Sequence, residues 1–153
     1  GPHSVDYCRY MSGLDVSTVQ CFFHHPDEYP VPLSAAFNFV MSSGATMSLS
    51  FVTASPGKPP ADPYFLIYYE GGYLAVHSYE YIDMNGERVF EGSEYNPWFE
   101  LDRRFAEAVF SGDGGELLND YHDGLYSLAP ILAGWESARR GGELIDLAQF
   151  MES

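Results

Sequence analysis

The chain has 153 residues, 46% of them hydrophobic and 16% aromatic, enough for one ordinary domain with a real core. Its net charge of −15, with seven Lys plus Arg, excludes nucleic acid and anionic membrane surfaces, which are gripped by clustered cations. No apolar run approaches the roughly 18 residues of a membrane span, and nothing reads as a signal peptide.

Cys8 and Cys21 do not make a disulfide framework; they read as two reduced thiols in a cytoplasmic protein. Residues 3–12 read as a short helix with Val5, Cys8, Tyr10 and Met11 on one face, ended by Gly13. Residues 15–24 are strand-like in their β-branched and aromatic content. HPDEYPVP at 25–32 is a proline-punctuated loop.

Two stretches then alternate with period 2. Leu33, Ala35, Phe37, Phe39 and Met41 share one face, and Ala45, Met47, Leu49 and Phe51 share another, with Ser-Ser-Gly at 42–44 between them. That is a hairpin with one apolar face. A second Pro/Gly loop covers 55–63. Strands are predicted at 64–70 and 73–82 around Gly71–Gly72, and Asn85–Gly86 predicts another hairpin turn before ERVFEG.

After residue 95 the period changes. Asn96 is a good N-cap and Pro97 a good first helical residue. Trp98, Leu101, Phe105, Ala108 and Val109 form one helical stripe, closed by Gly112. A second helix is predicted from Asn119 to Arg140, with Leu125, Leu128, Leu132, Trp135 and Ala138 as its apolar stripe. Pro130 lies inside it, leaving the Tyr126 carbonyl without its amide and predicting a kink there. A helix, a run of strands and two segregated helices imply an α+β fold: one open antiparallel sheet of six or seven strands with helices on one face. Residues 1–153 then form a single domain. The other face, rich in Ser, Thr, Asn and Tyr, suits a homodimer or higher assembly built sheet to sheet.

No self-contained catalytic constellation stands out. SGDGGE at 111–116 follows a helix and lacks the lysine of a phosphate loop. His24 and His25 are neighbours on or beside a strand and point to opposite faces, which disfavours a metal. Asp120, His122 and Asp123 at a helix start suit the positive end of the helix dipole. Tyr73, His77, Tyr79 and Tyr81 are predicted to share one face of the 73–82 strand, a Tyr/His surface able to hold sugar hydroxyls or to pack against another sheet. Tyr95 and Trp98 are candidates for the wall of an aromatic pocket.

Three segments, taken in order, resemble the C-terminal domain of the Gfo/Idh/MocA oxidoreductases, the glucose–fructose oxidoreductase and inositol dehydrogenase family. GPHSVDYCRYMSG is similar to that family's G-x-H-x-x-D-x-x-R-[YW]-x-x-G. FNFVMSSGATMSLSFVTA with GGYLAVHS is similar to its sheet hairpin and following strand. FELDRRFAEAVFSGD with LAPILAGWESARRGGELIDL is similar to its closing helix pair. The resemblance implies a domain that shapes a substrate site and mediates oligomers beside a dinucleotide-binding domain outside these residues, so NAD or NADP belongs to a longer parent and no cofactor to this chain. It implies hydride transfer involving a sugar, polyol or related carbonyl. His3 matches the catalytic histidine, taking the alcohol proton, and Asp6 and Arg9 match the rest of the motif and are expected, with His77, Tyr79, Tyr95 and Trp98, to bind substrate. The alternatives are a relative doing cofactor-free isomerase, dehydratase or cyclase chemistry, and a non-catalytic partner subunit.

Overall fold

The structure, a computed structural model, describes residues 1–53, 64–93, 96–115, 117 and 119–152. The chain divides into two compact units, Gly1–Ser55 with Leu118–Ser153, and Pro56–Leu117.

The first unit holds α1 (Pro2–Ser12), β1 (Val16–His24), β2 (Ser34–Met41), β3 (Thr46–Val52), α3 (Tyr121–Arg139), β8 (Ile145–Asp146) and α4 (Leu147–Glu152). Its strands form an antiparallel sheet in the order β3-β2-β1-β8. The period-2 reading of the hairpin holds: Phe37, Phe39 and Met41 are buried while Ala36, Asn38 and Val40 are exposed. The inward residues join Val5, Val19, Cys21, Ile131, Ala133 and Ile145 in one core. The outward positions Thr18, Gln20, Ala36, Asn38, Thr46, Ser48 and Ser50 are uncharged, while Asp146 of β8 stands on the same face opposite Thr18.

α3 packs on β1 through small residues. Its buried positions are Ser127, Ala129, Pro130, Ile131, Ala133, Gly134 and Ser137. A Cβ on Gly134 would stand 2.3 Å from the Phe37 ring, so only glycine lets the helix come this close. The expected stripe is thereby corrected: Leu128, Leu132 and Trp135 are exposed. The large aromatic side chains of the sheet leave room only for small partners on the helix. The helix runs on through Pro130.

The second unit holds β4 (Phe65–Tyr69), β5 (Gly72–His77), β6 (Tyr81–Met84), β7 (Glu87–Glu91) and α2 (Pro97–Ser111). Its strands form a second antiparallel sheet in chain order. The single sheet of six or seven strands is therefore corrected to two sheets of four, within an α+β fold. The 73–82 strand is also corrected. It breaks after His77, and Ser78, with φ 55°, starts a turn before β6. The Asn85–Gly86 turn is as expected, with φ 54° and 86°, the left-handed pair that matches strand twist.

α2 begins where predicted, with the Asn96 side chain accepting from the amides of Trp98 and Phe99. Its stripe, however, is not buried: Trp98, Leu101, Phe105 and Val109 are all exposed. Among the described residues no helix is long and apolar enough to cross a membrane.

Candidate functional site

α1 carries three of the predicted site residues. Pro2 occupies its first turn, and Gly13 ends it in the left-handed region with its amide on the Arg9 carbonyl at 2.8 Å. Val5 is fully buried and Cys8 half-buried, which fixes the roll of the helix; Tyr10 and Met11 turn outward instead of joining them. His3 is exposed on the first turn, and Asp6 is half-buried one turn on.

Arg9 is the hub. Its Nε donates to Asp15 Oδ1 at 2.8 Å, one terminal nitrogen to Asp123 Oδ1 at 2.8 Å, and the other to Ser127 Oγ at 2.8 Å and the Asp123 carbonyl at 3.2 Å. The Ser127 hydroxyl donates onward to Asp6 Oδ1 at 2.8 Å. The guanidinium also lies 5.5 Å from the centre of the Tyr126 ring. Only 11% of the side chain is exposed. Burial works against its charge, but the hydrogen bonds and attraction of Asp123 and Asp15 outweigh that and raise its pKa. The planar fork suits this set of acceptors, which a lysine cannot span. Arg9 thus ties α1 to the start of α3 and orients the helix that presents His3 and Asp6.

Asp123 and Ser127 went unseen in the sequence. The sequence reads Asp120 and Asp123 together as complementing the helix dipole, and both do stand at the start of α3. Asp120 is the N-cap, its carboxylate accepting from the Asp123 amide at 2.7 Å, and Asp123 is in the first turn. The tie from Asp123 to Arg9 is what the sequence does not show. The signal available was spacing: Asp123 and Ser127 are four apart on one helical face.

The remaining candidates lie in the second unit. His77 stacks on Tyr81, with ring centroids 4.1 Å apart, and its Nε2 is 4.0 Å from Asp83 Oδ2. Arg88 lies over the same Tyr81 ring at 3.5 Å and donates from Nε to Asp83 Oδ1 at 2.6 Å. This is a cross-strand cluster on one face of β5, β6 and β7. Tyr79 is not on that strand face, because it sits exposed in the turn after β5. Trp98 is exposed on the first turn of α2, and Tyr95 lies outside the described residues. Among the described residues no group of three or more His, Cys, Asp or Glu side chains is placed to hold a metal.

Comparison with known proteins identifies the fold. No protein-family model and no curated protein sequence matches the chain. Solved structures do. An oxidoreductase from Thermotoga maritima superposes with a TM-score of 0.79 at 18% identity, over 98% of this chain and 43% of its own. The aldose-aldose oxidoreductase of Caulobacter crescentus, solved with glycerol, gives 0.72 at 19%, over 95% and 45%. An oxidoreductase from Agrobacterium radiobacter, solved with NAD+, L-tartaric acid and magnesium, gives 0.71 at 18%, over 97% and 48%. The chain spans less than half the length of each. It carries the fold of a C-terminal domain of Gfo/Idh/MocA-type oxidoreductases, the fold that the sequence resemblance implied.

Proposed function

We propose that this chain is the substrate-binding and oligomerisation domain of an NAD(P)-dependent sugar- or polyol-type oxidoreductase. The observation that supports it is the fold match over 95–98% of this chain with oxidoreductases about twice as long, one of them solved with NAD+. In this reading His3 accepts the hydroxyl proton as the alcohol carbon loses hydride, Asp6 contacts substrate, and Arg9 acts as a positioning residue. His77, Tyr79, Tyr95 and Trp98 are secondary candidates for substrate contact. NAD(P) does not fit the residues described here. The glycines at 112–115 follow α2 instead of a strand, and the 111–116 run has no lysine to meet a phosphate. The nucleotide therefore belongs to a dinucleotide-binding half of such an enzyme. The outer face of β1, β2 and β3, uncharged from Thr18 and Gln20 across to Thr46, Ser48 and Ser50, is the proposed homodimer surface.

Sequencing the coding region upstream of Gly1 and assaying the protein it encodes with NAD+ and NADP+ tests this. The expected result is a dinucleotide-binding half, NAD(P)H formation with an aldose or inositol, and a loss of roughly 10²–10⁴-fold in turnover for His3→Asn. A parent without such a half, and without NAD(P)-linked turnover, would overturn it.

A further inference from the structure

At the end of the first sheet nearest the 25–33 loop lies a cavity of about 260 Å3 that none of the proposed catalytic side chains lines. Phe37 and Ile131, both buried, form its floor. Phe23 and Trp135 stand edge to face beside it, with centroids 5.0 Å apart and planes at 77°. Phe51 stands edge-on to Phe37 at 5.8 Å and 86°. Val31, Pro32 and Gly1 also border it.

The chemistry of the lining selects the ligand. The described lining has no charged side chain, and its side-chain hydroxyls are those of Ser34 and Thr53. The Thr53 hydroxyl is taken up by the Pro32 and Leu33 carbonyls at 2.9 and 3.0 Å. A polyol entering here would surrender hydrogen bonds to water and regain few of them. An apolar ring loses nothing and gains edge-to-face contacts with Phe23, Phe51 and Trp135. An enclosed apolar cavity of roughly 150 Å3 holds one benzene ring, so this partly open space of about 260 Å3 has room for one ring with a short substituent.

We infer that this cavity binds a single uncharged apolar ring, aryl or alicyclic, free or carried on a larger substrate. The inference concerns binding by these 153 residues and is independent of the oxidoreductase reading. It is tested on the intact chain by following the indole N–H resonances of Trp135 and Trp98 during titration with benzyl alcohol, cyclohexanol and myo-inositol. The expected result is a saturable shift of Trp135 alone by the first two, with a millimolar Kd typical of one small ring. Myo-inositol should leave Trp135 unmoved, and Ala35→Phe, which fills the cavity, should abolish the shift. Phe51→Ala, which enlarges it, should move the preference toward bulkier alicyclic alcohols if Ala35→Phe fails to fold. The inference is overturned by no saturable shift, by equal shifts of both indoles, or by myo-inositol binding as tightly as benzyl alcohol. None of these outcomes bears on whether a longer parent transfers hydride.

Discussion

Replacing Ser137 with alanine removes two hydrogen bonds at the most buried polar side chain of the first unit. The Ser137 hydroxyl accepts from the Cys21 amide at 2.9 Å and donates to the Glu143 carbonyl, and both Ser137 and Cys21 are fully buried. Among the described residues β1 has only the two-residue β8 along this edge, and the hydroxyl stands in for a ladder bond beyond it. Alanine leaves the Cys21 amide orphaned, at about 1–3 kcal/mol, and loses the second bond, worth about 1 kcal/mol net. The sum is about 3 kcal/mol, or roughly a hundredfold in the unfolding equilibrium. Urea denaturation followed by the fluorescence of Trp135 in a Trp98→Phe background measures it. Ser50→Ala, on the exposed face, should change stability by less than about 0.5 kcal/mol. A Ser137→Ala cost that small would refute the assignment of this hydroxyl as an edge substitute.

Two further outcomes follow from the polar ties and the thiols. Arg9→Gln should cost about 1–3 kcal/mol by the same assay, and Arg9→Lys should recover little of it, because one ammonium cannot serve Asp15, Asp123 and Ser127 together. Full recovery by lysine would show that only charge matters there. Burial pushes the Cys21 thiol from its usual 9.0 up to about 11. A raised folded pKa means the contribution is intact below pH 9 and is lost as pH rises toward 11. The stability of Cys21→Ala should therefore fall less steeply across that window than the parent's; parallel slopes in urea titrations would contradict the assignment.

The parts of the fold that the sequence made legible are those governed by local periodicity. Alternation placed β2 and β3 with the correct faces, Asn96 and Gly112 bracketed α2, and Asn85–Gly86 marked its turn. What was not legible depends on which surface an element meets. α3 looks as if it should bury Leu128, Leu132 and Trp135, yet it buries Ser127, Ala133, Gly134 and Ser137 because Phe37 and Phe39 fill the space opposite. Hydrophobicity ranks side chains by transfer energy, whereas close packing selects them by shape. The turn at Ser78 was missed because no Gly or Pro marks it and the left-handed residue there is a serine. Within the site, Asp6 and Arg9 lie one turn apart on α1, 4.0 Å from nitrogen to carboxylate oxygen. Their partners Asp123 and Ser127 lie more than 110 residues away, a separation that no short-range pattern spans.

The proposed dimer face can be tested through electrostatics alone. Each chain carries −15, so two copies repel at long range, and association requires a contact region free of that charge. The rows Thr18–Gln20, Ala36–Asn38 and Thr46–Ser48–Ser50 provide one, bordered at the β8 edge by Asp146 opposite Thr18. Asn38 and Ser48 bond across it at 3.0 Å, so their polar groups are already partly satisfied before a second sheet arrives. Repulsion between the net charges is screened within about 8 Å at physiological ionic strength, while close packing of small side chains is not. Dimerisation on this face should therefore strengthen as salt is raised, the reverse of an interface held by ion pairs. Ser48→Glu, placed in mid-face, should shift the protein to monomer in sedimentation equilibrium at low salt while leaving its far-UV circular dichroism unchanged. A dimer that weakens with salt, or one that tolerates Ser48→Glu, would place the contact on another surface.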